Sequence, residues 1–135
     1  MWTVRNTVGK LVEARLTTGD EAAVVECLLA ISHLVARAEV PVVGIFDLAR
    51  VRVLGKETQE HLLGVMRGDN PRVERTAIVV RSDALLEMQM DRLIRAASMP
   101  HRQVFRARNE ALLWLAECLS ATELARARAF LNEER

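Results

Sequence analysis

The stretch DLARVRVLGKETQEHLL, residues 47–63, carries the residue types with most capacity for chemistry. It begins with Asp47 at the end of an apolar segment, and Arg50 and Arg52 follow. Open α/β sheets place ligand and catalytic groups at the carboxyl ends of their strands. A single aspartate at such an end more often braces the following loop by accepting backbone N–H bonds. The two arginines alternate with valines, so they share one side of the loop, where they could bind an anionic headgroup or an acidic partner surface, or remain solvated.

Motifs of known catalytic and metal sites are absent from the sequence. There is no GxSxG, GxGxxG or GxxxxGK[ST] pattern. His33, His61 and His101 have neither HxxxH nor HExxH spacing, and Cys27 and Cys118 form no CxxC pair. We therefore expect a non-enzymatic protein that holds no metal and no other cofactor.

The composition is typical of an intracellular globular domain. A chain of 135 residues, half of them apolar, can form one domain with a sizeable core. Charged residues make up 27% and nearly cancel to +1, so no electrostatic footprint for nucleic acid is visible. No apolar stretch approaches the roughly 20 residues that span a bilayer, and the first residues lack the apolar run of a signal peptide. We expect a soluble, cytoplasmic protein that neither spans a membrane nor binds nucleic acid.

The first part of the chain predicts a hairpin followed by a helix. Apolar and polar residues alternate up to Leu16, and Val8 and Gly9 interrupt the pattern as turn residues. Thr18 and Glu21 then have the spacing of a capping box, in which the hydroxyl and the carboxylate each satisfy a free backbone N–H at a helix start.

The remaining chain alternates apolar runs with helical patterns. The segment PVVGIFDL, residues 41–48, is apolar until its aspartate, which is typical of a strand buried on both faces of a parallel sheet. In order, the predicted elements are a strand at 41–48, a helix at 57–67, a strand at 76–80, a helix at 83–98 capped by Ser82 and ended by Met99 and Pro100, an edge strand at 102–106, a helix from Asn109, and a last helix from a capping box at Ser120 to Glu123.

This order, β-β-α-β-α-β-α-β-α-α, predicts a mixed α/β fold. Strands that are separated by helices imply right-handed crossovers and parallel pairing. We expect a small sheet of about five strands, an antiparallel hairpin followed by mainly parallel strands, with about four or five helices. Residues 1–135 are predicted to form a single domain, in which a helix at about 120–134 is an addition.

The element order resembles the STAS domain (sulfate transporter and anti-sigma-factor antagonist), and in particular its SpoIIAA-like branch. RTAIVVRSD, residues 75–83, is similar to that branch's fourth strand and following turn. RQVFRARNEALLWLAE, residues 102–117, is similar to its last strand and a helix with Ala111, Trp114 and Leu115. The resemblance covers about residues 1–119 and implies a regulatory protein–protein interaction module. Because the branch borders on SEC14-like domains, it also leaves an alternative, a small-ligand domain that binds a lipid or another apolar anion.

The resemblance also bears on the loop after the third strand. In the anti-sigma-factor antagonists this loop carries an Asp-Ser-Ser-Gly-like run whose serine is phosphorylated at a helix start. Gly55, Lys56, Glu57 and Thr58 stand at that position, so the phosphoserine position is lost. Three interpretations are open: Glu57 only stabilises the helix start by its charge, Glu57 partly imitates the phosphorylated state, or Thr58 is itself phosphorylated.

Three large side chains are predicted at helix surfaces. With Ala111 and Leu115 inward, Leu113 should face outward and Trp114 should lie at the margin, and Met88 falls on the polar side of its helix. Clustered exposure would mark a surface for a protein partner or for a homo-oligomer. Alternatively, the last helix covers Leu113 and Trp114 within the same chain.

Overall fold

The computed structural model describes residues 1–81, 84–98 and 101–133. The predicted cap at Ser82 and the predicted helix end at Met99 and Pro100 lie outside these residues. A short 3-10 turn, Asn70–Arg72, joins the second helix to the fourth strand. The elements are β1 (Trp2–Arg5), β2 (Leu11–Leu16), α1 (Glu21–Arg37), β3 (Val42–Asp47), α2 (Lys56–Asp69), β4 (Val73–Val79), α3 (Ala84–Ala96), β5 (Arg102–Phe105), α4 (Arg108–Ala116) and α5 (Ala121–Asn132), in the predicted order.

The strands form one five-stranded sheet in the order β1-β2-β3-β4-β5. β1 is antiparallel to β2, and every other neighbouring pair is parallel. The prediction of a mixed α/β sheet with an antiparallel hairpin is therefore confirmed. β3 is the central strand, and the β2–β3 register sets Arg15 beside Asp47.

Helices cover both faces of the sheet. α1, α2 and α3 pack on one face, over strand side chains such as Ala14, Phe46 and Ile78. α4 and α5 pack on the other face, over strand side chains such as Val43 and Ile45. Because successive strand residues point to opposite faces, an apolar strand between two helical layers is buried along nearly its whole length, as the apolar run at residues 41–48 predicts.

Of the two capping boxes predicted from the sequence, the one at α5 forms and the one at α1 does not. α1 is capped by Asp20, whose Oδ2 accepts from the Ala23 N–H at 3.3 Å, while the Thr18 hydroxyl accepts from the Asp20 N–H at 3.1 Å. The predicted capping box at Thr18 is therefore wrong, because Asp20 reaches the free N–H groups directly. At α5 the predicted box is confirmed: Ser120 Oγ accepts from the Glu123 N–H at 3.1 Å and Glu123 Oε1 accepts from the Ser120 N–H at 2.8 Å.

Candidate functional site

The candidate site is the loop between β3 and α2, residues 48–55, and its base is buried. Asp47 ends β3 with only 2% of its surface exposed. Its Oδ2 accepts from Arg15 Nε at 2.8 Å, and its Oδ1 accepts from the Ala49 N–H at 2.9 Å. A carboxylate that bonds the backbone two residues ahead fixes the direction in which the chain leaves the strand. Asp47 therefore braces the loop.

Arg15 connects this base to α5. One of its terminal nitrogens donates to the Phe130 carbonyl oxygen at 2.7 Å, and its guanidinium lies 4.2 Å from the centre of the Phe130 ring. The side chain is 9% exposed, so both members of the Arg15–Asp47 pair are desolvated. Removing one member of such a pair would leave the other as an uncompensated buried charge. The start of the loop thus depends on a helix that is distant in sequence.

The far end of the loop is fixed by α3. The Leu54 N–H donates to Gln89 Oε1 at 3.0 Å, and Gln89 Nε2 donates to the Leu54 carbonyl at 3.0 Å. Val51 and Leu54 point inward and are 2% and 3% exposed. Arg52 and Val53, between these two buried residues, are exposed. The loop is therefore held at both ends and presents a short exposed segment between them.

The loop leads into the first turn of α2. Gly55 is the N-cap and makes no side-chain capping bond. Lys56 and Glu57 are exposed, and the charge of Glu57 in the first turn is favourable next to the helix dipole. Thr58, one residue further, is only 3% exposed. The hydroxyl-bearing residue nearest the helix start therefore faces the interior.

The predicted interaction loop thus divides into two groups. Arg50, like Arg52, Lys56 and Glu57, lies at the surface, as expected from the sequence. Asp47 and Thr58 do not reach a surface from which they could contact a partner. Tertiary packing buries both residues, and Asp47 shapes the loop through its hydrogen bonds.

The three predicted surface side chains do not form one patch. Met88 and Leu113 are 66% and 72% exposed, but α3 and α4 lie on opposite faces of the sheet. Trp114 is half-buried: its ring centre lies 5.5 Å from that of Phe105, and the Arg75 guanidinium lies 4.5 Å above it. Trp114 anchors α4, while α5 leaves Leu113 uncovered.

Two exposed apolar residues beside the loop were not predicted. Val53 is 46% exposed and Leu85 is 52% exposed. Leu85 lies one turn before Gln89 and near Met88 on α3, where a surface groove of about 280 Å³ includes all three residues. The exposure of Leu85 could have been predicted from the helical period of α3, because position 85 is not part of the apolar stripe that faces the sheet. We refer to the following residues as the loop face: Arg52, Val53, Lys56, Glu57, Leu85 and Met88.

The cavity inside the molecule is small for an apolar ligand. A mainly apolar cavity of about 70 Å³ lies between α1, α2 and the sheet, with Asp69, Thr76 and Arg102 as its polar lining. Drug-sized ligands occupy pockets of about 300–1,000 Å³. Among the described residues, no three His, Cys, Asp or Glu side chains lie close enough together to hold a metal ion. Nor is any helix in that part of the chain both long and apolar enough to cross a membrane.

Comparison with known proteins gives one informative match. No protein-family model matches the chain. No curated protein matches it in sequence. A solved structure of the anti-sigma factor antagonist SpoIIAA in its unphosphorylated form is similar, with a TM-score of 0.64, 17% sequence identity, and coverage of 89% of this chain and 100% of that chain. The chain therefore has the STAS-type α/β fold of SpoIIAA, as its sequence resemblance predicted.

Proposed function

We propose that this chain is a non-catalytic regulatory module that binds a partner protein on the loop face. The observation that carries the proposal is the exposure of Leu85, Met88 and Val53 beside a loop that hydrogen bonds hold at both ends. These apolar side chains keep about half or more of their surface in water, although the backbone beside them is fixed by hydrogen bonds. The fold shared with SpoIIAA, an anti-sigma factor antagonist, supports a regulatory role over a catalytic one.

The loop face has the composition of a protein interface. Burying a leucine or methionine side chain fully is worth about 1.5–3 kcal/mol, so covering Leu85 and Met88 would be a substantial part of a binding free energy. Interface centres are enriched in methionine and arginine, with polar groups at the rim. Arg92 and Arg95 line the same α3 groove and Arg52 lies on the loop, in positions suited to such a rim.

We further propose that this module works without a phosphorylation switch on the loop. The residues at the start of α2 include no serine, and the burial of Thr58 opposes kinase access without local unfolding. Glu57 supplies one permanent negative charge where a phosphate would supply nearly two. Partner binding is therefore constitutive in this proposal, and Glu57 acts mainly on the helix dipole.

The lipid-binding alternative has no comparable support. A cavity of about 70 Å³ is smaller than the roughly 300 Å³ that such a ligand needs. The grooves lined by described residues are open to solvent and carry charged side chains at their walls. We therefore do not propose lipid binding for this chain.

Affinity purification from the native host with matched variants tests the proposal. In the test variant Leu85→Ser is combined with Met88→Ser, and in the control Leu113→Ser changes an exposed leucine on the opposite face. Substitutions at exposed sites should change stability by about 0.5 kcal/mol or less, so thermal unfolding should be similar in all three proteins. We expect a reproducible partner to be lost from the α3 double variant and retained by the control.

Three outcomes would each contradict a part of the proposal. Equal recovery of the partner by all proteins would show that the loop face is not the binding surface. Light scattering over a range of concentrations addresses the homo-oligomer: if the wild type is a dimer that only the α3 double variant dissociates, the occupant of the loop face is a second copy of this chain. A reproducible turnover activity would overturn the non-catalytic part of the proposal.

A further inference from the structure

A second groove lies along the edge of the sheet, apart from the loop face. It has a volume of about 720 Å³ and is lined by β1, by Arg15 and Thr17 at the end of β2, by Arg50 of the loop, and by Glu133 after α5. The groove runs from β1, the outermost strand of the sheet, past the end of β2 to the loop after β3. Its position suits an extended chain segment.

The hydrogen-bond pattern of the hairpin shows which backbone groups of β1 point away from the sheet. The Thr17 N–H donates to the Met1 carbonyl at 3.0 Å, so positions 1 and 17 are a hydrogen-bonded pair. Hydrogen-bonded and non-hydrogen-bonded pairs alternate in an antiparallel ladder, and the register pairs Thr3 with Arg15. The N–H and C=O groups of Trp2 and Val4 therefore point outward. No other strand of the described chain pairs with this side of β1, so the groups have the arrangement that strand addition uses.

The wall of the groove is rich in arginine. Arg5 and Arg50 are exposed, and Arg15 lines the same groove. The two nearest strand carboxylates are already engaged below the surface. Asp47 is bonded to Arg15, and Glu13, which is fully buried, accepts two bonds from Arg126 at 2.7 and 2.8 Å. Of the charged side chains that line the groove, Arg5 and Arg50 are exposed, and Arg5 is paired with Glu133.

Glu133 shows how the arginines bind a carboxylate. Its Oε1 accepts from Arg5 at 2.7 Å and its Oε2 accepts from Arg126 at 2.7 Å, while Arg15 Nη1 lies 3.7 Å away. The hydrogen bonds from Arg5 and then Arg126 lower the pKa of Glu133. Charge-assisted bonds of this length are the usual mode of carboxylate recognition by arginine. The chain's own glutamate thus shows that these arginines can bind a carboxylate.

We propose that this groove binds an extended acidic segment of a partner protein, which pairs with the outer edge of β1 and places carboxylates on Arg5 and Arg50 in exchange for Glu133. Strand addition supplies sequence-independent main-chain bonds, and the arginines supply the preference for acidic side chains. Glu133 then acts as an internal competitor. This site is separate from the loop face and does not depend on it.

The probe for this proposal is an acetylated, amidated hexapeptide of alternating glutamate and valine, and the readout is ¹⁹F NMR of the chain labelled with 5-fluorotryptophan. Trp2 lines the groove, whereas Trp114 packs against Phe105 on a different part of the molecule. We expect the peptide to shift the Trp2 resonance and leave that of Trp114 unchanged. The shift should weaken as salt screens the charges.

Variants and altered peptides separate the two components of binding. We expect Glu133→Gln to strengthen binding about threefold or more, because it removes the competing charge, and Arg50→Gln to weaken it by a similar or larger factor. Arg50→Lys should bind the peptide more tightly than Arg50→Gln and less tightly than the wild type, because lysine keeps the positive charge but lacks the planar guanidinium. A peptide with alternating N-methylated backbone nitrogens should bind at least about tenfold more weakly if it adds as a strand.

Other results would overturn the proposal. Equal binding by a glutamine–valine peptide would show that charge does not contribute to binding. Equal binding by the N-methylated peptide would show that the peptide does not add to the sheet as a strand. Full competition by inorganic phosphate at the same concentration as the peptide would reduce the site to a general anion site. Unchanged binding by Arg50→Gln would contradict the role of this arginine, and because Arg50 is exposed, a loss of binding could not be attributed to misfolding.

Discussion

Replacement of Asp47 by alanine tests the brace at the base of the loop. The substitution leaves Arg15, which is 8% exposed, without its carboxylate, and leaves the Ala49 N–H without its acceptor. Breaking a buried ion pair on one side costs about 3–5 kcal/mol. The lower end applies here, because Arg15 keeps its bond to the Phe130 carbonyl and lies 3.7 Å from a carboxylate oxygen of Glu133. We therefore expect Asp47→Ala to lower the free energy of unfolding by about 3 kcal/mol.

Urea denaturation monitored by circular dichroism measures this loss. With a slope of about 1–3 kcal/mol per molar urea, a loss of about 3 kcal/mol moves the midpoint down by about 1–3 M. Arg15→Met combined with Asp47→Ala removes both charges, so the double variant should lose less than the sum of the single losses. Lys56→Ala, an exposed change in the first turn of α2, should stay within about 0.5 kcal/mol of the wild type. A loss below about 1 kcal/mol for Asp47→Ala, or strictly additive losses, would refute the conclusion that this pair braces the loop.

Three further predictions concern reactivity and backbone conformation. Burial raises the pKa of the fully buried Cys27 thiol to about 12. A maleimide should therefore label Cys118 slowly and Cys27 only after unfolding, and mass spectrometry of the digested protein would identify the labelled cysteine. Gly9 has a φ of +54°, and a Cβ there would collide with the glutamate of the α5 capping box, so Gly9→Ala should lower the free energy of unfolding by at least about 1–2 kcal/mol. Gly64 lies within α2 with open space around it, so Gly64→Ala should raise the free energy of unfolding by about 0.5–1 kcal/mol. Similar shifts of the urea midpoint for the two variants would contradict both assignments. Incubation with kinases from the native host should add no phosphate of about 80 Da at Thr58, and such an adduct on the folded protein would show that the burial of this residue does not protect it.

Periodicity was sufficient to predict the order and type of the elements. Strands between two helical layers must be apolar almost throughout, and amphipathic helices must be apolar along one stripe, so both patterns are legible in the sequence. Boundaries were less certain because several residues can serve as caps. α1 uses Asp20 where Thr18 was expected, and α4 begins at Arg108, one residue before Asn109, the predicted start.

The candidate site was only partly predictable for a related reason. Exposure of Arg50 and Glu57 follows from the local pattern, but burial depends on what packs above a residue. Arg15 alternates with apolar neighbours as an exposed strand residue would, and it is buried because α5 crosses that face of the sheet. Trp114 is half-buried because it packs against Phe105 of β5. Neither contact has a signal within a local window of sequence.

The charges beneath α5 bear on how the chain folds as it leaves the ribosome. All five strands are synthesised before α5, so the sheet face that α5 covers stays open for a time. That face carries Glu13, Arg15 and Asp47 among its apolar residues. Charged side chains are costly to bury without partners, so they keep water on an uncovered face. We therefore expect the ion pairs that fasten the last helix in the finished molecule to keep this part of the nascent sheet hydrated until that helix packs on it.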